Sequence, residues 1–212
     1  MPPPGKTEKR RGRRQGVPVS REAVLAAAQK RFAHDGYEKT TLRAIARDAQ
    51  VDPSMVLYLF GSKEQLFRDS LSLLIKPELL VAALRGDGED EPDIGTRMVR
   101  TYLGFWEASD SAATMRAMVA SATSNDHARD ALRNFLRTYV LTAVSGELGG
   151  DEHARLRATL AAGSLVGTAM VRYVIGVPPL SELDAEDVVR LVAPTVTRYL
   201  TADAAELGLP GS

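Results

Sequence analysis

The chain has 212 residues and no cysteine, and 25% of its residues are charged while 44% are hydrophobic. This composition is that of an ordinary globular protein, and it excludes disulfide bonds and thiolate metal sites. Basic and acidic residues number 27 each, but residues 1–21 hold seven basic side chains against one acidic side chain. That uneven placement indicates that the N-terminus binds an anionic partner, and nucleic acid is a better candidate than a membrane surface. The alternative is a solvated tail that only aids solubility.

Residues 1–19 are predicted to form a disordered basic arm, because their prolines and glycines accompany too little apolar surface to order alone. The arm carries five clustered candidates for DNA contacts, which are Lys9, Arg10, Arg11, Arg13 and Arg14. No apolar segment follows it as in a secretory signal, and no run approaches the roughly 18 apolar residues of a membrane span. We therefore expect a cytoplasmic protein with no membrane partner.

The stretch over residues 20–66 predicts three short helices and the start of a fourth, because four N-cap side chains each precede an apolar pattern of helical spacing. These candidate caps are Ser20, Thr41, Asp52 and Ser62. Gly36 is typical of a left-handed cap that ends the first helix, and Pro53 fits the first position of the third. The second helix is expected over residues 42–49 and the third over residues 53–59.

Longer helices follow from Leu66 onward, with Pro77 expected to kink or break the first of them. The later helices are predicted to begin near Asp93, Ser111, His127, Asp151 and Asp184. No strand-length alternation with hairpin turns appears in the sequence. The sequence predicts an all-α fold of about nine helices. Its parts are an arm (residues 1–19), an N-terminal three-helix helix-turn-helix DNA-binding domain (residues 20–66) and a C-terminal helical bundle for regulation and dimerisation (residues 67–212).

The second and third helices, joined over residues 49–52, have the dimensions of a helix-turn-helix. A major groove about 12 Å wide admits one helix, whose first turn then meets the base edges. Hydroxyl and N–H groups at the start of the second helix suit a phosphate, as does a lysine at the start of the fourth. The predicted DNA-binding residues are Thr40, Thr41, Arg43, Pro53, Ser54, Met55, Leu57, Tyr58 and Lys63. The alternative is that these capped helices serve only as scaffold.

The same stretch resembles the N-terminal domain of the tetracycline-repressor (TetR) family of transcriptional regulators. The residues that carry the resemblance are Ala28, Phe32, His34-Asp35-Gly36-Tyr37, Thr40-Thr41, Ile45-Ala46, Val51 and the run from Tyr58 to Leu66. The resemblance implies a homodimer that binds a roughly palindromic operator in double-stranded DNA and represses transcription. It also implies release from that operator when a small molecule enters the C-terminal domain.

Three residues depart from the family pattern. Gln50 stands at a turn position that usually holds glycine, and a non-glycine residue with positive φ costs of order 1 kcal/mol there. Leu57 and Leu59 replace the usual tyrosine and histidine of the third helix. Leu57 can contact a thymine methyl group but cannot donate a hydrogen bond to a base. The family's base contacts therefore do not transfer to this chain, and the residues do not predict an operator sequence.

The last two long helices combine apolar faces with small residues, which permit close approach between helices. In the resembling family these helices pair across a two-fold axis as a four-helix bundle, whereas the alternative is packing within one chain. The predicted dimer residues are Leu160, Gly163, Gly167, Val171, Val188, Val192, Val196 and Tyr199.

The resemblance also implies an internal pocket for an unknown, hydrophobic small-molecule effector. Its candidate lining is a set of aromatic and methionine side chains at helical spacing: Tyr102, Phe105, Trp106, Met115, Met118, Tyr139 and Met170. A plain core is the commoner origin of such a stripe, so this alternative stays open.

Catalytic chemistry has little support in the sequence. The histidines at 34, 127 and 153 are scattered, without the HExxH spacing, and neither a phosphate-binding glycine loop nor a nucleophile elbow occurs. We therefore expect no enzyme, no cofactor and no metal site. Two alternatives to a ligand-responsive repressor stay open. One is a helical ligand-binding protein or enzyme whose headpiece is only structural, and the other is a DNA-bound regulator without small-molecule input.

Overall fold

The computed structural model describes residues 20–88, 90–108 and 112–210. These residues form helices and no strand, which confirms the all-α fold class. The helices are α1 (Arg21–Lys39), α2 (Leu42–Asp48), α3 (Pro53–Phe60), α4 (Lys63–Leu74), α5 (Pro77–Arg85), α6 (Ile94–Glu107), α7 (Ala112–Ser124), α8 (Asp126–Phe135), α9 (Thr142–Glu147), α10 (Glu152–Ala169), α11 (Ala185–Thr201) and α12 (Ala204–Leu207). A π-helical turn, Leu136–Leu141, joins α8 to α9, and a second, Met170–Ile175, extends α10.

The four N-caps predicted for the headpiece are confirmed. Ser20, Thr41, Asp52 and Ser62 each have extended backbone and accept a hydrogen bond from an N–H group in the first turn of α1, α2, α3 and α4. These bonds satisfy N–H groups that have no partner inside their helix, so a few local side chains determine where each helix begins.

The ends of the helices depart from the predictions at several points. Gly36 has positive φ (73°) but ψ of 175°, so it kinks α1 instead of capping it, and the helix continues to Lys39. The break predicted at Pro77, by contrast, is confirmed, since α4 ends at Leu74 and Pro77 is the first residue of α5. The short α12 has no counterpart in the sequence analysis, and the predicted helix start at Ser111 lies outside the described residues.

An aromatic cluster forms the core of the headpiece and ties it to α4. Phe32 and Tyr37 of α1 stack 5.8 Å apart, and Phe67 of α4 meets both rings edge-on at 5.0 and 5.2 Å. All three side chains are buried. Edge-on aromatic pairs contribute about 0.5–1.5 kcal/mol beyond the apolar area that they bury, so this cluster orients α4 firmly against α1.

The body meets the headpiece mainly where α1 packs on α7 and α4 packs on α8, and α4 also touches α7. A hydrogen bond crosses the same junction, since the amide of Asn125 donates to the carboxylate of Glu38 at 2.5 Å. Deeper in the body, α6 packs most extensively against α11. The headpiece and the body are therefore in direct contact through helix packing and through this hydrogen bond.

The helical run Glu152–Ile175 is long and apolar enough to cross a membrane by length and composition alone. Only 22% of its most apolar window is buried within the protomer. Part of the remaining apolar surface packs against the core, where α10 meets α9 and α11, and the rest is accessible. Several of the predicted dimer residues lie on this helical run: Leu160, Gly163, Gly167 and Val171.

Candidate DNA-binding surface and ligand cavity

Gln50 forms the turn of the helix-turn-helix in the left-handed region, with φ of 56°. Its N–H donates to the carbonyl of Arg47 at 3.1 Å, and the N–H of Val51 donates to the carbonyl of Ala46 at 2.9 Å. The turn therefore has the shape that favours glycine although its residue carries a side chain. Gln50 therefore bears the backbone cost that a non-glycine residue has at positive φ.

Arg31 holds α2 in place against α1. Its guanidinium binds the Asp48 carboxylate through two nitrogens, one of them 2.9 Å from Oδ1, and binds Asp35 at 3.0 Å. Hydrogen bonding from Arg31 is the largest of the effects that lower the pKa of Asp48. Because Asp48 ends α2, this bidentate pair sets the angle at which α2 leaves the kinked end of α1.

The third helix divides cleanly into a buried face and an exposed face. Val56 and Phe60 are buried in the headpiece core, while Leu57 and Tyr58 are 49% and 83% exposed. Exposed Pro53 and Ser54 and half-buried Met55 lie in the first turn. The predicted base-reading residues therefore share one accessible surface, which we call the α3 face: Pro53, Ser54, Met55, Leu57 and Tyr58.

Thr40 does not belong to the accessible surface, and the predicted contact of its hydroxyl with DNA is wrong. The residue is 1% exposed, and its Oγ1 lies 2.7 Å from the carbonyl oxygen of Gly36 and 3.1 Å from that of Arg31. The hydroxyl thus closes the kink in α1, which leaves it without a free site for a phosphate. Thr41 is exposed, and its Oγ1 caps α2 by accepting from Ala44 N–H at 3.1 Å.

Lys63 is held against the headpiece. Its Nζ donates to the carbonyl of Glu38 at 3.2 Å and lies 4.4 Å above the centre of the Tyr37 ring. Burial lowers the pKa of Lys63, although the nearby carboxylates of Glu38 and Glu64 act in the opposite direction. Any phosphate contact by this lysine thus competes with two contacts that the protein already provides.

Two arginines on α2 are better placed for phosphates. Arg43 is exposed, and within the described part of the chain its side chain has no ion-pair partner. Arg47 is also exposed, with its Nε 3.7 Å from Asp48. Arg47 was not among the predicted contacts, although the spacing of four residues from Arg43 places both on one helical face. The predicted basic arm, by contrast, lies outside the described residues.

A small apolar cavity of about 60 Å³ lies in the body between α6, α8 and α10. Of the seven predicted pocket residues, only Tyr102 and Trp106 line it. The other lining residues come mainly from α8, its π-helical turn and α10: Ile75, Leu80, Val119, Leu132, Leu136, Val140, Ala162, Leu165 and Val166. Among these residues, Val119, Leu132 and Leu136 belong to apolar patterns of helical spacing, but such spacing does not separate a cavity wall from plain core.

The remaining predicted pocket residues are dispersed, so the single aromatic and methionine lining was wrong. Met115 and Met118 are fully buried in the core and do not line the cavity. Phe105 borders a separate surface cleft, Tyr139 is exposed and Met170 is half-buried. Helical spacing correctly predicts that most of these side chains lie on apolar helix faces. Those faces, however, pack against different parts of the protein, so the side chains do not form one lining.

Some of the predicted dimer residues are accessible on the surface of the protomer, and others are buried in its core. Gly163 and Gly167 are exposed on α10, and nothing lies within 4 Å of a Cβ built on either of them. Half-buried members of the predicted set are Leu160, Val171, Val192 and Tyr199. Val188 and Val196, however, are fully buried within the protomer, so their assignment to an interface was wrong. Both valines belong to the face of α11 that fills the chain's own core.

Two large apolar side chains outside the predicted dimer set are exposed, one on α11 and one on the π-helical turn that extends α10. Leu191 of α11 is 66% exposed, and Ile175 at the end of the second π-helical turn is similarly accessible. Leu191 lies eight residues before Tyr199, a spacing that keeps both close to one helical face. We call the set of Leu160, Gly163, Gly167, Val171, Leu191, Val192 and Tyr199 the α10–α11 face.

Two family models match the chain. Residues 24–69 match the model described as "Bacterial regulatory proteins, tetR family". Residues 93–200, about half of the chain, match "Tetracyclin repressor-like, C-terminal domain". The first match covers the helix-turn-helix with its α3 face, and the second covers most of the body, including the cavity residues of α6, α8 and α10.

Known proteins agree with these matches. A crystal structure of a TetR-family regulator from Streptomyces coelicolor A3 is 38% identical, covers 90% of this chain and 99% of its own, and superposes with a TM-score of 0.67. The transcriptional regulator BetI of Agrobacterium fabrum is 31% identical over 77 residues, which span 35% of this chain but only 37% of BetI. NalD of Pseudomonas aeruginosa, the secondary repressor of the MexAB-OprM multidrug efflux pump, shares the fold at 18% identity, with a TM-score of 0.58 over 86% of this chain and 97% of its own. The chain therefore belongs to the TetR family of transcriptional regulators.

Proposed function

We propose that this regulator is a homodimeric repressor that binds a roughly palindromic operator and leaves it when a small molecule enters its C-terminal domain. The observation that carries the proposal is the α3 face. Leu57 and Tyr58 expose large apolar surfaces side by side on a helix whose opposite side is anchored in the core. A helix presented in this way fits a major groove.

The chemistry of the α3 face favours apolar contacts with bases. Leu57 suits the methyl group of thymine, and Tyr58 can add both ring contact and a hydroxyl group. Arg43 and Arg47 on α2 supply charges that suit the phosphates beside the groove. We therefore propose that α2 binds the phosphates of the DNA backbone and so fixes the register, while α3 contacts the bases.

The α10–α11 face supports the homodimer. The small residues Gly163 and Gly167 leave room for close approach of a second helix, and the flanking surface of α10 is apolar and largely unburied in the protomer. Pairing of this face with its copy would remove that surface from water. It would also place two α3 faces about a two-fold axis, as a palindrome with half-sites roughly 34–36 Å apart requires.

We propose that residues 1–19 form a basic arm, residues 20–66 a DNA-binding domain and residues 67–212 a regulatory and dimerisation domain. Helix α4 crosses the second boundary. The helix starts in the headpiece at Lys63 and packs against α8 of the body. A change of the body around the cavity would therefore reach the headpiece through α4 and through the contact of α1 with α7. Such a change would alter the distance between the two α3 faces of a dimer.

Fluorescence anisotropy with labelled duplexes from the DNA that flanks the protein's own gene tests this function. The full chain should bind one duplex at 50 mM salt far more tightly than a shuffled duplex of equal composition. The double variant Leu57→Ala, Tyr58→Ala should lose most of that preference, since removal of the contacts to one base pair costs about 1–3 kcal/mol. Leu79→Ala, an exposed leucine on α5, serves as the matched control. A double variant that keeps the wild-type preference would contradict base reading by the α3 face.

A further inference from the structure

Methionine is the only sulfur-containing residue type in this chain. The sequence has six methionines and no cysteine, and Met1 lies outside the described residues. A peroxide that oxidises sulfur in this protein therefore acts on a thioether, and the susceptibility of a thioether to oxidation follows its exposure. The position of each methionine relative to the core thus determines where such oxidation occurs.

Met55 differs from the other four described methionines in its relation to the core. Met98, Met115 and Met118 are core residues that are 3%, 0% and 0% exposed. Met170 is half-buried and packs against the same core. Met55 is also half-buried, but among these five it alone neither belongs to the core nor packs against it. Its side chain is therefore the described methionine side chain that the core encloses least.

Met55 also belongs to the α3 face, which the proposed function assigns to base contacts. It lies in the first turn of α3, where its N–H donates to the carbonyl of Asp52 at 2.9 Å. The exposed residues Leu57 and Tyr58 follow in the next turn. The first turn of a recognition helix is the part that meets the base edges in a major groove. A chemical change at Met55 thus acts directly at the contact with DNA.

Oxidation by hydrogen peroxide converts the Met55 thioether to a sulfoxide. The sulfur donates an electron pair to one oxygen of the peroxide, and the O–O bond breaks. The second oxygen leaves as hydroxide, which takes the proton of the first and becomes water. Sulfur thereby loses two electrons and the peroxide gains two. The apolar thioether has become a polar group with an accepting oxygen.

A sulfoxide in the first turn of α3 opposes entry of that helix into the groove. Its oxygen must lose hydration there, which is unfavourable unless a hydrogen-bond donor replaces the water. The polar oxygen also replaces the apolar surface with which a methionine can contact a thymine methyl group. Oxidation of Met55 should therefore weaken the binding of the α3 face to bases without requiring any change in the body.

We propose that Met55 is an oxidation site through which a peroxide releases the protein from its operator. This proposal rests on the proposed function, because it adds an oxidant as a second signal at the surface that binds DNA. Sulfoxide reductases return methionine sulfoxide to methionine, so the signal is reversible. The chain thus responds to a peroxide although it contains no cysteine.

Treatment of the full-length protein with hydrogen peroxide, followed by peptide mass spectrometry, tests the site. We expect Met55 to gain one oxygen atom while the three core methionines remain unmodified. Fluorescence anisotropy with the operator duplex should show that the affinity of the oxidised protein falls at least about tenfold, which corresponds to 1.4 kcal/mol. An unchanged affinity once Met55 is fully oxidised would overturn the proposal, as would a Met55 that stays unmodified while Met170 reacts.

Two matched variants assign the loss of affinity to one sulfur atom. Met55→Leu replaces the thioether by an aliphatic side chain of similar volume, and Met170→Leu makes the same change where the second π-helical turn begins. The quantity compared is the ratio of the affinities before and after peroxide treatment, so an altered starting affinity does not affect the result. This ratio should be about one for Met55→Leu and at least about ten for Met170→Leu. A loss in Met55→Leu as large as that in the wild type would show that another residue is responsible.

A measurement on the wild type alone decides the case in which Met55→Leu does not bind DNA. Partly oxidised protein is passed over immobilised operator, and the bound and unbound fractions are compared by peptide mass spectrometry. The bound fraction should be depleted in Met55 sulfoxide but not in Met170 sulfoxide. Sulfoxide reductases supplied with a dithiol should restore operator binding to the unbound protein. An equal content of Met55 sulfoxide in the two fractions would contradict the proposed role.

The same binding data separate this proposal from the proposed function. If the untreated protein binds its operator and the protein oxidised at Met55 binds it equally well, the oxidation site is overturned while the DNA-binding function stands. If the untreated protein binds no duplex from the DNA that flanks its gene, both are overturned. A loss of operator affinity that Met55→Leu prevents supports both.

Discussion

The Asp93 carboxylate joins the start of α6 to the side of α11, because its Oδ1 accepts a hydrogen bond from Thr197 Oγ1 at 2.5 Å. The same oxygen accepts from the N–H groups of Gly95 and Thr96 at 3.0 and 3.1 Å, so it also caps α6. Hydrogen bonding from Thr197 and then from Thr96 lowers the pKa of Asp93 to about 2. One ionised side chain thus begins a helix and fixes its position on the neighbour that it packs against most.

Replacement of Asp93 by alanine should lower the free energy of unfolding at pH 7 by about 1 kcal/mol, the usual effect of a lost N-cap. Because the folded pKa lies below the unfolded one, the carboxylate stabilises the fold fully above about pH 4. This contribution is lost as the pH falls toward 2. Urea unfolding at pH 7 and pH 3 should therefore show a smaller difference between wild type and variant at pH 3.

The matched control for this effect is Asp203→Ala, which removes the side-chain cap of the short helix α12. A four-residue helix near the end of the chain contributes little to global unfolding, so the change should be small at both pH values. A difference between wild type and Asp93→Ala that is the same at pH 7 and pH 3 would contradict the assigned role of the ionised carboxylate.

Gly95 permits the close contact between α6 and α11. A Cβ built on it would lie 2.2 Å from Thr197 Oγ1 and 2.3 Å from the carbonyl oxygen of Ala193, which belongs to the backbone. We expect Gly95→Ala to destabilise the protein by about 1–3 kcal/mol, the range for an extra methyl group in a packed core. The midpoint of thermal or urea unfolding measures this change.

Gly104 lies on the same helix and provides the control. Nothing lies within 4 Å of a Cβ built there, so Gly104→Ala should be neutral, or stabilising by up to about 1 kcal/mol through higher helix propensity. Equal effects of the two substitutions would show that helix propensity and not the contact with α11 determines the result.

Sequence predictions succeeded where the interaction joins residues close together in the sequence, and failed where it joins residues far apart. Asp52 could be recognised as an N-cap, because its bond reaches only to Ser54. The kink that buries the Thr40 hydroxyl depends on the path of the chain through Gly36, which residue types alone do not determine. The stacking of Trp106 on Tyr173 joins helices that are far apart in the sequence. Helix positions and the α3 face were therefore predictable, whereas the cavity wall was not.

Gln50 carries backbone strain that a glycine would remove. With φ of 56°, its Cβ is in a conformation that L-residues seldom adopt, at a cost of roughly 1–2 kcal/mol. We expect Gln50→Gly to stabilise the protein by about 0.5–1 kcal/mol in urea unfolding, since the greater freedom of glycine in the unfolded chain offsets part of the gain. Gln50→Ala keeps the Cβ and should leave stability nearly unchanged. A stabilisation shared by both variants would point to loss of the glutamine side chain as its cause.

The basic arm should contribute non-specific attraction to DNA. Deletion of residues 1–14 removes Lys6, Lys9, Arg10, Arg11, Arg13 and Arg14. Affinity should fall for operator and unrelated duplexes alike, and the plot of log K against log salt should become less steep by about 0.9 for each phosphate that the arm had neutralised. Deletion of residues 2–5, which carry no charge, provides the control. An unchanged slope after the longer deletion would exclude the arm from the interface.

The α10–α11 face should decide the oligomeric state. Leu191→Arg places a charge on its most exposed leucine, and burial of that charge against a second copy without a partner costs several kcal/mol. The dissociation constant of the dimer should therefore rise at least about 100-fold, since 1.4 kcal/mol corresponds to a factor of ten. Sedimentation equilibrium measures this constant directly.

Leu79→Arg introduces the same charge at an exposed leucine of α5, away from this face, and should leave the dimer intact. Because an operator with two half-sites needs both α3 faces, Leu191→Arg should also weaken operator binding while leaving circular dichroism unchanged. A Leu191→Arg protein that remains dimeric would place the interface elsewhere.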